Sequence, residues 1–425
     1  MKMFPLLIAA VLIAAPAQAQ SIAPRAVVSQ IAQAVEDRYF DADRGREIAE
    51  ALRAEAAEGL YDSRTDPRDL AVALTRRMKP LDNHFNVTWR DPAAAPIPAA
   101  PTPRELEPVP FETGVARRGQ GFQSVNILPG NIAVIDMRMF ADFENAGDPA
   151  RRQADAVLQM VSGADAVIFD LRNNGGGSPA MVGYLVSAFV APGSNIYNVF
   201  QGRDGQTSEG PRETYASPRP DVPVFIVTSG RTGSAAEGFS YTLQAARRGT
   251  VVGERTAGAA NPGGPVSTPS GFSIFVSNGS PVNPITGGNW EGTGVIPDIE
   301  ATAGDALNTA WKTALRAQEG RLTGPVAVEA RWTLEALEAP AVVVDPAPYV
   351  GDYSGSSIEA AEGVLLYRAG RRPAWRLQAL SADLFFDQDA PYRRIRFERD
   401  GEGRVISLET LDGQTGGVRR LRRGE

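Results

Sequence analysis

The chain has 425 residues, 43% of them apolar, with one histidine, no cysteine and a formal net charge of −7. That length leaves room for two or three domains with cores of their own. The missing cysteine excludes disulfides, a thiol nucleophile and a cysteine metal site, and the acidic balance argues against nucleic-acid binding.

Residues 1–19, MKMFPLLIAAVLIAAPAQA, combine Lys2, an apolar run and the small-residue site Ala17-Gln18-Ala19. The pattern predicts a secretory signal peptide and an exported protein, periplasmic or secreted, that begins near Gln20. No later apolar run approaches the roughly 18 residues of a membrane span.

Residues 20–110 read as a helical region. Val27, Ile31 and Val35 recur at four-residue spacing, as do Ile48, Leu52 and Ala56. Asp66-Pro67-Arg68-Asp69 has the form of an N-cap, a proline at the first helical position and an acid in the first turn. The Pro/Ala run at 91–110 predicts an extended linker.

Strand and helix patterns alternate through 111–320. Strands are expected at 131–140, 166–171, 222–229, 250–254 and 272–277, and helices at 149–163, 178–190, 234–248 and 304–318. This rhythm predicts an α/β fold, a mainly parallel sheet with helices on its faces. Ligands of such sheets sit at the carboxyl ends of the strands. The stretch 321–344 is expected to be a linker, and 345–425 a small β-barrel or sandwich with turns every eight to twelve residues. Arg419, Arg420, Arg422 and Arg423 fit a solvated tail or strand edge rather than an RNA patch.

Two motifs fall at carboxyl strand ends. DLRNNGGG (170–177) lacks the pattern of a phosphate loop. Its glycines would let bare backbone N–H groups approach a reacting centre. In TGSAAEGF (232–239), Ser234 and Glu237 form a capping box. The same helix mouth also suits a nucleophile, because developing negative charge is stabilised there. A serine nucleophile needs a base. His84, in LDNHFNVTW (81–89), is the one imidazole, and neither Lys79 nor Lys312 lies near the segment that follows the serine helix.

DLRNNGGG, TSGRTGSAAEGFSYTLQAARRGTVVGERTAGAANPGG (228–264) and NWEGTGVIPDIE (289–300), taken in order, resemble the C-terminal-processing (tail-specific) serine peptidases. GFQSVNILPGNIAVIDMRMF (121–140) is similar to their branch related to tricorn protease and the interphotoreceptor retinoid-binding protein repeats. The likeness spans about 25–315. It implies a crotonase/ClpP-like core with Ser234 as nucleophile, His84 as base and Glu291 as the acid that orients it. Gly176 and Ala235 are then the oxyanion donors, the substrate is a peptide or protein, and neither metal nor organic cofactor is needed. Two features depart from the pattern. Asn83 stands where tricorn has a serine, and no PDZ domain lies between His84 and the strand at 131. A non-catalytic binder of an apolar ligand on the same fold is the rival expectation.

Overall fold

The computed structural model describes residues 23–92 and 109–424. The predicted signal peptide and most of the Pro/Ala run lie outside that range. The chain divides into two compact units.

The first unit gathers the N-terminal residues, the tip 202–205 of a later hairpin, and residues 261–280. Helices α1 (Pro24–Arg38), α2 (Ala42–Ala57) and α3 (Pro67–Met78) form as the sequence predicts. Asp41 and Asp66 cap α2 and α3, accepting backbone N–H groups of the first turn, so orphan donors are satisfied where the helices begin. Strand β1 (Val87–Trp89) follows α3. The helices bury Ile31, Leu52, Leu74 and Phe85 in one core with Phe272 and Ile274.

Residues 111–260 belong to the second unit, apart from that hairpin tip. In chain order they form α4 (Phe111–Arg117), β2 (Phe122–Leu128), β3 (Ile132–Met137), α5 (Pro149–Met160), β4 (Ala166–Asp170) and α6 (Pro179–Ser187). The hairpin β5 (Val199–Gly202) and β6 (Gly205–Ser208) follows, then β7 (Val224–Thr228), α7 (Ala235–Ala245) and β8 (Gly249–Gly253).

Strands β9 (Gly263–Ser267) and β10 (Phe272–Ser277) come next. The sequence reading set 272–277 among the strands of the α/β layer. In the structure β10 pairs antiparallel with β1 and β9 in the first unit. Its alternating burial, with Phe272, Ile274 and Val276 turned inward, is the signature of a one-sided antiparallel strand. Continuously buried β4 and β7 carry the two-sided signature instead.

After β11 (Gly279–Val282) and β12 (Ile299–Glu300) come helices α8 (Ala306–Arg316) and α9 (Gly324–Glu338). The main sheet runs β12-β8-β7-β4-β3-β2. It is parallel throughout except for the antiparallel edge strand β2. The expected mainly parallel α/β sheet is therefore present.

Helix α9 corrects the expectation of a linker at 321–344. Proline at its first turn and the run VAVEARWTLEAL support a helix, and only the prolines beyond it speak for an extended chain. Ala330 and Leu334 are buried with residues of the main sheet. On the other side the Arg394 guanidinium lies 4.4 Å over the Trp332 ring and donates to Glu335 at 2.7 Å.

Arg394 belongs to the C-terminal barrel, which is built from β13 (Gly351–Tyr353), β14 (Ser356–Ala361), β15 (Val364–Ala369), β16 (Trp375–Ala379), β17 (Leu384–Asp387), β18 (Ala390–Arg399), β19 (Val405–Asp412) and β20 (Val418–Arg422). Each strand pairs antiparallel with the next. A bridge between Tyr353 and Arg423 brings the two ends together. Closure removes exposed sheet edges.

Candidate active site

At the carboxyl end of β7 the chain turns through Ser229–Gly233 into α7. Ser234 is the N-cap, with φ +52° and ψ −123°. A serine in that region is strained, because its Cβ crowds the backbone. Asp41, Asp66 and Ser178, the N-caps of α2, α3 and α6, all sit in the ordinary extended region. The capping box predicted around Ser234 is present, yet the backbone is not that of a plain cap.

Glu237 holds this conformation. It is fully buried, and its carboxylate accepts the Ser234 N–H at 2.8 Å, the Thr256 hydroxyl at 2.6 Å, the Gly258 N–H at 2.6 Å and the Ala259 N–H at 2.9 Å. Four donors compensate a carboxylate that burial would otherwise penalise. The residue that the sequence offers as a cap partner thus ties the serine turn to loop 256–259.

Glu291 approaches from the next loop and accepts the Ala260 N–H at 2.8 Å. Its loop is fixed by Gly292 N–H to the Gly258 carbonyl, 2.9 Å, and by Val295 N–H to the Thr256 hydroxyl, 2.7 Å. The preceding Trp290 is buried and packs its ring against Tyr241 of α7 at 5.3 Å.

The glycine turn after β4 lies against the same serine. Gly176 has φ +114°, and a Cβ there would come within 2.7 Å of the Ser234 Cβ and 3.0 Å of the Ala235 nitrogen. Glycine at 176 is therefore required both by the backbone and by the space. Its N–H donates to Asn174 Oδ1 at 2.9 Å, while buried Asn174 donates to the Met137 carbonyl at 3.0 Å. Ala235 opens α7, where backbone N–H groups have no intrahelical acceptor. Ser234, Ala235, Gly176, Glu237 and, through loop 256–260, Glu291 thus stand together in the second unit.

His84 stands in the first unit, in the turn between α3 and β1. Its backbone N–H and its ring Nδ1 both meet Asp82 Oδ1, at 2.8 and 3.2 Å. The imidazole stacks on Phe275 with centroids 5.8 Å apart. Burial pushes the Asp82 carboxyl up, but the hydrogen bonds from His84 outweigh it and hold the group below its ordinary value. A charged carboxylate at Nδ1 fixes the neutral tautomer in which Nε2 accepts a proton. Asp82 is a candidate that the motif reading passed over. Its signal is the two-residue spacing to His84, which an aspartate uses to close an Asx turn.

Residues 131–301 match peptidase family S41. The match spans 171 of the 425 residues. Among solved structures, the photosystem II D1 C-terminal processing protease is 20% identical over 41% of this chain and 43% of its own, with a TM-score of 0.33. A lipoprotein from Streptococcus agalactiae is 15% identical over 76% of this chain and 100% of its own, with a TM-score of 0.43. Tricorn protease is 19% identical over 49% of this chain and 18% of its own, with a TM-score of 0.30. The chain thus aligns with less than half of the D1 processing protease. No helix among the described residues is long and apolar enough to cross a membrane.

Proposed function

We propose that this protein is an exported serine peptidase that cleaves peptide bonds through an acyl-enzyme. Ser234 attacks the carbonyl carbon as His84 Nε2 takes the hydroxyl proton. The same imidazole then returns that proton to the leaving amine, and water releases the acyl group by the reverse sequence. The Ala235 N–H receives the oxyanion, whereas the Gly176 N–H, the other donor the motif implies, is taken up by Asn174 Oδ1. Glu291 is the acid carried over from the family motif. Asp82, already bonded to Nδ1, orients the ring.

The observation that carries this reading is the strained backbone of Ser234 at a helix N-terminus, packed on a glycine that tolerates no side chain. A pure cap needs neither feature, and a passive binder gains nothing from strain at a hydroxyl. Export rests on the leader sequence alone. The test is a fluorophosphonate reaction followed by peptide mapping. Label is expected on Ser234 and lost, with peptide hydrolysis, in Ser234→Ala. Label that survives the substitution would sink the assignment.

A further inference from the structure

Strand β10 carries more than core residues. Phe275 and Ser277 stand two residues apart on it and so project from one face. Phe275 supports the His84 ring. Its N–H donates to the Asn86 carbonyl at 3.1 Å, which holds the strand against the chain just after His84. Ser277 is fully buried, and its hydroxyl meets no hydrogen-bond partner. A buried polar group left unpaired costs stability, so its presence calls for a reason.

Asp82 has the matching deficit. Its Oδ1 serves the backbone N–H and the Nδ1 of His84, whereas its buried Oδ2 meets no donor at hydrogen-bond distance. Burial pushes this carboxyl up, and Ser277 joins His84 in holding it low. The orphaned hydroxyl and the orphaned carboxylate oxygen are thus neighbours.

Tyr39 approaches the same carboxyl from the end of α1. Its ring is buried and stacks on Phe85 with centroids 5.6 Å apart. A Cβ at Gly45 of α2 would come within 3.1 Å of the Tyr39 Cβ, so the two helices pack closely there. The Phe40 N–H donates to the Ser277 carbonyl at 3.0 Å, which ties the end of α1 to the end of β10. Burial, and after it the charge of Asp82, pushes the phenol above its ordinary value. The hydroxyl therefore keeps its proton and faces the carboxylate as a donor. Arg44 and Asp41 are the other charged groups that act on it.

We propose that Ser277 and Tyr39 are positioning residues that serve Asp82 Oδ2 and, through the carboxylate, fix the His84 ring and set its basicity. The proposal rests on the peptidase reading given above, in which His84 is the base. Hydroxyl donors stabilise a carboxylate most when the imidazole beside it is neutral, because no cation then compensates the charge. Deleting a donor should therefore favour the imidazolium and raise the ring's titration. That is the opposite sign to removing the carboxylate charge itself.

Ser277→Ala and Tyr39→Phe each delete one hydroxyl and leave the strand and the ring stack in place. In the full-length protein, NMR titration of the single imidazole is expected to rise by about half a pH unit in each variant, and further in the double variant. On a small peptide, kcat should fall about threefold to tenfold with KM unchanged, and the activity limb should move with the ring. A merely structural role would show as a lower melting temperature with the titration unmoved. An unmoved or lowered titration in both variants overturns the proposal, and in one variant it removes that residue from the role. Absence of fluorophosphonate label on unsubstituted protein would instead overturn the peptidase reading, and the ring titration would still judge the two hydroxyls.

Discussion

Two serines in this molecule occupy equivalent places. Ser178 and Ser234 each cap a helix that follows a buried parallel strand, β4 and β7, and each follows a glycine. Ser178 is an ordinary cap at φ −82° and ψ 127°, its hydroxyl accepting the Ala180 N–H at 3.2 Å. Ser234, at φ +52° and ψ −123°, occupies a region that costs on the order of 1–3 kcal/mol for a residue with a side chain. Surrounding structure must over-determine such a residue, and the four hydrogen bonds into Glu237 do so. Sequence position alone makes the two serines alike. Backbone conformation and neighbours set the two caps apart.

The largest effect breaks the comparison in kinetics. Ser234→Ala should lower peptide hydrolysis at least about a thousandfold while the protein still folds. Ser178→Ala should instead cost about 1 kcal/mol of stability, seen as a lower melting temperature, and should keep the fluorophosphonate label. If both substitutions remove the label, position 234 is not distinct.

The next effect concerns the packing shared by the two helices. Glu209 lies between them: its backbone oxygen would meet a Cβ at Gly183 of α6 at 2.0 Å, and its Oε1 one at Gly238 of α7 at 3.3 Å. Its carboxyl is buried with Asn198, which donates to it at 2.7 Å, and burial pushes it up to about 8. Below the ordinary carboxyl range, near 4.5, the group is protonated in folded and unfolded chains alike. Between there and about 8 the unfolded chain sheds the proton that the folded chain keeps, so stability must fall as pH rises. The loss should reach a few kcal/mol. Urea denaturation at pH 5 and pH 8 measures it, and Glu209→Gln should flatten the difference. An unchanged slope in that variant would assign the pH dependence elsewhere.

A smaller effect tests the base. Asp82→Asn should lower turnover about 10–100-fold and move the titration of the single imidazole to lower pH, because a carboxylate favours its charged form. NMR follows that ring without assignment ambiguity, since the chain has one histidine. The activity limb should shift with it. A ring titration unmoved by Asp82→Asn, but moved by Glu291→Gln, would return the orienting role to Glu291 alone.

Much of this was legible in the residues. The alternation of helix and strand, the capped helices α2 and α3 and the small C-terminal barrel follow from local periodicity and turn chemistry. The placement of β10 did not, because strand pairing is decided by partners distant in sequence. Helix α9 was obscured by the prolines beyond it, although its own run is a sound helix. At the site, the motifs pointed to Ser234, Gly176 and His84. They could not reveal the strain at Ser234, or that loop 256–259 folds back to add three donors to the predicted capping bond on Glu237. Asp82 was visible in LDNH, but its bond to the ring depends on a turn that closes only in three dimensions.

The finest distinction between the two serines is a sign. Glycine reaches positive φ without the Cβ clash, and as an N-cap it gives up only a few tenths of a kcal/mol relative to serine. At Ser234 the relief of strain should outweigh that loss, so Ser234→Gly is expected to gain about 1 kcal/mol while losing all activity. At Ser178 no strain exists to relieve, and Ser178→Gly gives up the hydroxyl's bond to Ala180 and adds freedom to the unfolded chain. It should lose about 0.5–1 kcal/mol. Urea denaturation of both variants against the parent reads the two signs directly. Stabilisation of the inactive protein would mean that the fold spends stability on the conformation of one hydroxyl-bearing residue, as a working site does and a cap has no reason to. Should Ser234→Gly be destabilised as much as Ser178→Gly, the positive φ carries no strain, and the argument separating the two serines fails at its base.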